Sequence, residues 1–231
     1  MTGLTPEEMT RLCETLRGFE TPAVANAVET FGVRELTDGY ASSEIRSLVP
    51  ERGPMVGYAV TVTFDSTTGG KARRSRWFDL MDILKASPAP TVVVSQYIGS
   101  DRRRGCWLGD IVATLLARLG SVGTVTDTAV RDLHEIAGRL PGFSVFGLGS
   151  VASHGNGAVI DLDIPVSVGG LVVRPGDLLH GDRNGVITIP GSIADQVAEA
   201  TAKVTRDEAG LVEMLMREPL PFEQIRERFS H

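Results

Sequence analysis

Between residues 91 and 139 the chain alternates twice between a short β-branched run and a helix-length stretch, and this alternation constrains the fold more than any other feature. TVVVSQ at 91–96 reads as a buried strand, 108–119 as a helix, 123–127 as a strand and 131–139 as a helix. Such an order implies parallel strands joined by crossover helices. In sheets of that kind ligands gather at the carboxyl ends of the strands. VTDTAVRDLHE, residues 125–135, falls at one of those ends and crowds Asp127, Arg131, Asp132 and Glu135 together.

The flanking segments extend an α/β reading. Thr5-Pro6-Glu7-Glu8 and Thr21-Pro22 are helix starts, giving N-terminal helices over about 5–32. GYAVTVTF at 57–64 alternates as a strand does, and 75–86 reads as a helix closed by Pro88 and Pro90. After Phe143 the texture changes to short strands and glycine turns, with Gly169-Gly170 and Pro175-Gly176-Asp177 as tight turns and Asn184-Gly185 as a hairpin signal. C-terminal helices are expected over about 191–229, one long and one short. Without an internal repeat or a low-complexity linker, the whole of 1–231 reads as a single domain, its terminal helices being candidates for packing on neighbouring subunits.

Composition excludes some functions. A net charge of -6 gives no general attraction to polyanions, so neither nucleic acid nor an anionic membrane is expected as a partner. One basic run, Arg102-Arg103-Arg104, reads by default as a solvated loop, with a role in attracting a polyanionic substrate or in subunit contact as the alternative. Cys13 and Cys106 are far apart and form no CxxC pair, as suits a reducing cytoplasm. The N-terminus lacks the apolar core of a signal peptide, and no apolar run approaches the roughly 20 residues of a membrane span. A cytoplasmic protein is the expectation.

Several residues are candidates for chemistry. Gly109 and Asp110 open the helix that follows Trp107, and the N–H groups of Gly109, Asp110, Ile111 and Val112 offer a cradle for a small anion such as a carboxylate. Alone, Asp110 reads as a helix cap. Twenty residues separate it from Arg131, about one βαβ step, so both return to the same end of the sheet. Arg131 supplies a forked cation and Asp132 a hard oxygen ligand, with Glu135 about one turn on. A divalent cation, Mg²⁺ or Mn²⁺, would reconcile these carboxylates with an acidic substrate. The alternative is an ordinary Arg131–Glu135 pair within a helix. His154 and His180 follow predicted strands beside glycine turns and are candidates for proton transfer or substrate contact, against the default of solvated loop histidines. His134 reads as helix surface.

Together these residues resemble the regulator-of-ribonuclease-activity A fold family, which includes the class II 4-hydroxy-4-methyl-2-oxoglutarate aldolases. Its enzymes show D-x20-R-D-x2-E/D, and Asp110, Arg131, Asp132 and Glu135 match each position. The resemblance extends over GYAVTV at 57–62, WLGDIVATLLARLGSVGTVTD at 107–127 and VGGLVVRPGDLLHGDRNGVITIP at 168–190. It implies a swivelling β/β/α domain with a mixed-sheet core flanked by helices. It also implies a metal-dependent carbon–carbon lyase, by retro-aldol cleavage or decarboxylation, acting on a small α-keto acid through a pyruvate enolate. In that picture Asp132, with Glu135, serves the metal, and Arg131 binds substrate and stabilises the enolate oxygen. Residues 109–112 hold the substrate carboxylate, Asp110 orients substrate or water, and no Schiff-base lysine is needed. Lysines are few: Lys71, Lys85 and Lys203. The resemblance further implies a homotrimer or a dimer of trimers with sites between subunits. The family's namesake, a non-catalytic binder of ribonuclease E, lacks the metal aspartate and is the rival reading.

One departure stands out. The family usually reads VxDGxxRD, and here Thr128 replaces the glycine. The position is expected either to be strained, if it needs a positive φ, or to aim its hydroxyl at the pocket.

Overall fold

The computed structural model describes residues 4–70, 75–88 and 90–229. Lys71 lies outside them. Two N-terminal helices, α1 (Pro6–Leu16) and α2 (Thr21–Glu29), precede a short β1 (Arg46–Ser47) and a long β2 (Met55–Asp65). There follow α3 (Trp77–Ala86), β3 (Thr91–Tyr97), α4 (Asp110–Arg118), β4 (Ser121–Thr126), α5 (Leu133–Arg139) and β5 (Ser144–Gly147). The remaining strands are β6 (Ala158–Leu162), β7 (Val166–Val168), β8 (Leu171–Val173), β9 (Leu178–Asp182) and β10 (Gly185–Ile189). A 3₁₀ turn at Gly191–Ile193, α6 (Val197–Leu215) and α7 (Phe222–Phe229) end the chain.

The sheet is mixed, as expected. Eight strands lie in the order β1-β5-β4-β3-β2-β9-β10, with β6 added beside β2. The β2–β3, β3–β4 and β4–β5 pairings are parallel, so the alternation over 91–139 does produce crossover helices. Strands β1, β6, β9 and β10 run antiparallel to their neighbours. The β7–β8 hairpin turns at Gly169-Gly170, both at positive φ, and stands apart as a two-stranded sheet.

Every residue of β2 is buried, because the sheet is covered on both faces. One apolar cluster joins Val60, Val62, Phe64 and Val93 to Leu80 and Leu84 of α3, Leu116 of α4 and Ile136 of α5. A second joins Val92, Val94 and Val125 to the β7–β8 hairpin, and a third seats α1, α2 and α6 on Val56, Tyr58 and Ile187. Among the described residues no helix is long and apolar enough to cross a membrane.

Several boundaries differ from the sequence reading, among them three helix starts. Helix α4 begins at Asp110 with Gly109 as its cap, and α5 begins at Leu133 with Asp132 as its cap, so Arg131 is not helical. Helix α6 starts only at Val197, since Pro190 leads into the 3₁₀ turn instead. In each case the tertiary contacts of the entering chain, not propensity, set the start.

His180 corrects a further expectation. It is a fully buried residue of β9 and not a loop histidine. Its Nε2 donates to the Leu16 carbonyl at 3.1 Å, which leaves Nδ1 to accept from the Thr21 hydroxyl at 2.9 Å. Asp182 completes the joint by accepting the Thr21 N–H at 2.8 Å. The neutral ring thus ties the α1–α2 connection to the sheet, and burial holds its pKa below the ordinary value of 6.5. A folded-state pKa below the unfolded one means that the unfolded chain takes up the proton first. The contribution to stability is complete above about pH 6.5 and is lost as pH falls below it. The melting temperature should therefore fall between about pH 6.5 and 5. His180→Gln should flatten that slope; an unchanged slope in the variant would contradict this role.

Candidate functional site

The parallel sheet continues past the ends of its strands as paired backbone. Cys106 bridges Ala129 in parallel, Trp107 N–H donates to Ala129 O at 2.8 Å, and Arg131 N–H donates to Leu108 O at 2.9 Å. Val130 N–H donates to Gly149 O at 3.0 Å, which brings the segment after β5 alongside as well. This pairing places the start of α4 directly against the start of α5.

Gly109 is the point of closest approach. A Cβ there would collide with Asp132 Oδ2 and would lie 3.0 Å from Arg131 Nε, so a side chain at this position would have to displace the Asp132 carboxylate. Asp132 Oδ2 accepts the Asp110 N–H at 3.3 Å. Its backbone is left-handed, with φ 58° and ψ 35°, a conformation that Asp tolerates better than most residues. Arg131 Nε lies 3.3 Å from the same oxygen without the alignment of a hydrogen bond and is otherwise a buried donor with no acceptor. Among the described residues no protein acceptor takes a hydrogen bond from the Arg131 guanidinium. Asp110 pairs its Oδ2 with Arg139 at the end of α5.

Gly109, Asp110 and Arg131 line a cleft of about 300 Å³, whereas Asp132 is not in its lining and meets it through Arg131 and the Asp110 N–H. Gly109, Asp110, Ile111, Val112, Arg131 and His154 all line it, so the substrate-binding and catalytic candidates meet in one place. His154 is exposed at the rim. Its Nδ1 donates to the Gly155 carbonyl at 2.7 Å, so the neutral ring presents an unprotonated Nε2. Three aromatic residues also line the cleft. Trp77 and Trp107 stack at 5.4 Å, and Phe64 meets Trp107 edge-on at 4.8 Å. Cys106 also lines the cleft, but burial pushes its thiol up to about 11 and keeps it unreactive.

Other candidates lie elsewhere. Glu135 is exposed in the first turn of α5, outside the cleft lining, and makes no ion pair with Arg131 among the described residues; the carboxylate beside Arg131 is Asp132. Asp127 accepts the Tyr97 N–H at 2.6 Å, and burial raises its pKa against that hydrogen bond. It braces β3 against β4 and does not support Arg131. Thr128 meets neither expectation: its φ is not positive, and its buried hydroxyl donates to Arg102 O at 2.6 Å. The basic run is partly committed, since Arg102 forms a two-pronged pair with Glu44 at 2.9 and 3.0 Å. His134 is exposed, as expected.

Among the described residues no three His, Cys, Asp or Glu side chains converge as a zinc cage would require. The local donor set is instead the hard Asp132 carboxylate, about one-third exposed. A single carboxylate suits Mg²⁺ or Mn²⁺, ions that keep much of their water shell.

A sequence model of the RraA-like family, described as Aldolase/RraA, matches residues 21–188. The chain belongs to this family. A curated relative from Halalkalibacterium halodurans, named "Putative 4-hydroxy-4-methyl-2-oxoglutarate aldolase", is 31% identical over 133 residues, 56% of this chain and 60% of the relative. The chain thus spans about 60% of the length of the curated relatives that it matches first. A crystal structure of a Pseudomonas syringae pv. tomato protein superposes with a TM-score of 0.73 at 23% identity, covering 95% of this chain and 94% of that one. Streptomyces coelicolor RraAS2, described as an unusual member of the RNase ES inhibitor RraA protein family, superposes at 0.68 with 24% identity, covering 88% and 97%. At those identities the two structures establish the RraA-like fold alone.

Arg139, Trp77 and Phe64 are site residues that sequence reading missed. Arg139 ends a helix that had been read, but its pairing with Asp110 depends on how α4 and α5 cross. The packing at Gly109 is open to direct test. Gly109→Ala should destabilise the fold by about 1–3 kcal/mol in urea denaturation, as overpacking does. A change within error would show that Asp132 yields freely and that the contact is not a constraint.

Proposed function

We propose that this RraA-like protein is a divalent-metal-dependent carbon–carbon lyase that cleaves or decarboxylates a small α-keto mono- or dicarboxylic acid through a pyruvate enolate. The observation that carries the reading is the meeting of the α4 N-terminus and the Arg131 guanidinium at one cleft, with the Asp132 carboxylate 3.3 Å from Arg131 Nε. The names of the curated relatives point the same way. A cytoplasmic homotrimer or dimer of trimers, with sites between subunits, belongs to the same proposal.

In this reading the N–H groups of residues 109–112 and the positive end of α4 bind the keto-acid carboxylate. Arg131 lies beside the C2 oxygen and stabilises the charge that develops there. Asp132 would hold Mg²⁺ or Mn²⁺; when bound, the ion supplies Lewis-acid polarisation of the keto group. Glu135 faces solvent and is not assigned a direct ligand role. The unprotonated Nε2 of His154 takes the proton of the C4 hydroxyl. The C3–C4 bond then breaks, C4 becomes a carbonyl, and its electron pair passes to C3 and the C2 oxygen as the enolate. Protonation at C3 completes pyruvate. Loss of CO₂ from oxaloacetate yields the same enolate. Asp110, held by Arg139, orients substrate or water.

Purified protein should release pyruvate from oxaloacetate with Mg²⁺ or Mn²⁺, and EDTA or Asp132→Asn should abolish the release. Arg131→Ala should lower kcat/KM by about 100-fold or more, the usual effect of losing one oxyanion donor. Metal-independent turnover, or none across a panel of keto acids, would overturn the reading. Capture of a ribonuclease that is insensitive to Asp132→Asn would favour a regulator that acts by protein binding.

A further inference from the structure

We propose that Gly155 and the Ser66 carbonyl are positioning elements for His154, and that they commit it to cleavage at a C4 hydroxyl and not to decarboxylation. The inference rests on the lyase reading and divides its two reactions. His154 is exposed on the irregular segment between β5 and β6, where a side chain has no fixed place unless the backbone on both sides is tied down. Before it, Val151 N–H donates to Val130 O at 2.9 Å, next to Arg131. After it, Asn156 N–H donates to Ser66 O at 2.7 Å, just past the end of β2. Gly155 lies between them with a left-handed φ of 59°. A Cβ there would collide with the Ser66 carbonyl oxygen, a backbone atom that cannot swing aside as a side chain would. The Gly155 carbonyl accepts His154 Nδ1 at 2.7 Å. One peptide, between 155 and 156, therefore holds the imidazole through its C=O and Ser66 through its N–H. Ser66 is itself buried, and its hydroxyl accepts the N–H of Cys106, a cleft residue, at 2.9 Å.

The two reactions ask different things of that imidazole. In retro-aldol cleavage Nε2 takes the C4 hydroxyl proton, the C3–C4 bond breaks, C4 becomes a carbonyl and the electron pair of the bond passes into the enolate. In oxaloacetate the C4 carboxyl is already ionised at about pH 7, so the same bond breaks with loss of CO₂ and no proton is removed. The enolate takes a proton from solvent at C3 in both, and after retro-aldol cleavage His154 gives its own to solvent. Displacing His154 thus slows one reaction only. Loss of the fold, or of the carboxylate cradle, would slow both.

The full chain with Mg²⁺ is assayed for pyruvate release from 4-hydroxy-4-methyl-2-oxoglutarate, 4-hydroxy-2-oxopentanoate and oxaloacetate. In Gly155→Ala, kcat for the hydroxy acids should fall about 100-fold, the cost of misplacing a catalytic group by about 1 Å, with KM and the oxaloacetate kcat unchanged. Gly155→Asn should lose as much, because Asn tolerates the left-handed backbone but still carries a Cβ. Recovery in that variant would contradict the role given to Ser66. The double variant His154→Gln/Gly155→Ala should be no slower on the hydroxy acids than His154→Gln alone, since both changes remove one function. Equal losses on all three substrates in Gly155→Ala, or no loss on any, would overturn the inference. Decarboxylation by the unaltered protein without turnover of either hydroxy acid would also overturn it and leave the lyase reading standing. Absence of pyruvate from all three would overturn both.

Discussion

Two backbone hydrogen bonds beyond the end of the sheet, from Trp107 N–H to Ala129 O and from Arg131 N–H to Leu108 O, hold the candidate site together. They extend the parallel β3–β4 register past the strands and oblige α4 and α5 to start side by side. Once the two starts are adjacent, little freedom is left. Gly109 admits the Asp132 carboxylate, and Asp132 turns left-handed to bring that carboxylate to the Asp110 N–H. Arg131 is left beside a carboxylate that it does not fully satisfy. A left-handed Asp132 and an Arg131 Nε without an acceptor thus stand side by side, as expected where a ligand is to complete the structure.

Charge is distributed economically around that point. Asp110 is neutralised by Arg139 and Glu44 by Arg102, while Asp127 serves a backbone N–H. Of the four ionised groups crowded into residues 125–135, only Arg131 lines the cleft, with Asp132 paired beside it. Asp127 belongs to the sheet and Glu135 to solvent. Thr128 fixes the Arg102 carbonyl, so the departure from the family's usual glycine affects the loop before α4 and not the pocket floor.

Much of this was legible in the sequence because it rests on local pattern. β-branched runs alternating with helical stretches gave the parallel core, Thr5-Pro6-Glu7-Glu8 marked the start of α1, and the spacing from Asp110 to Arg131 anticipated their return to one end of the sheet. What was not legible depends on contacts remote in sequence. The Trp77–Trp107 stack needs α3 and the turn before α4 to pack on Phe64. His180 reads as a loop residue until Leu16 and Thr21, more than 150 positions away, accept and donate to its ring. The starts of α4 and α5 shifted by two residues each because the paired backbone before them claims the residues that periodicity would give to the helices.

The central claim is that Asp132 and the α4 N-terminus form the two halves of a single metal and keto-acid site. Diffraction from crystals soaked with Mn²⁺ and oxalate, a planar stand-in for the pyruvate enolate, tests it most directly. The account predicts an anomalous peak about 2.1 Å from an Asp132 oxygen, or one water removed from it, with oxalate bridging the ion and the N–H groups of residues 109–112. Manganese bound elsewhere, or oxalate seated away from Arg131 and α4, would contradict it.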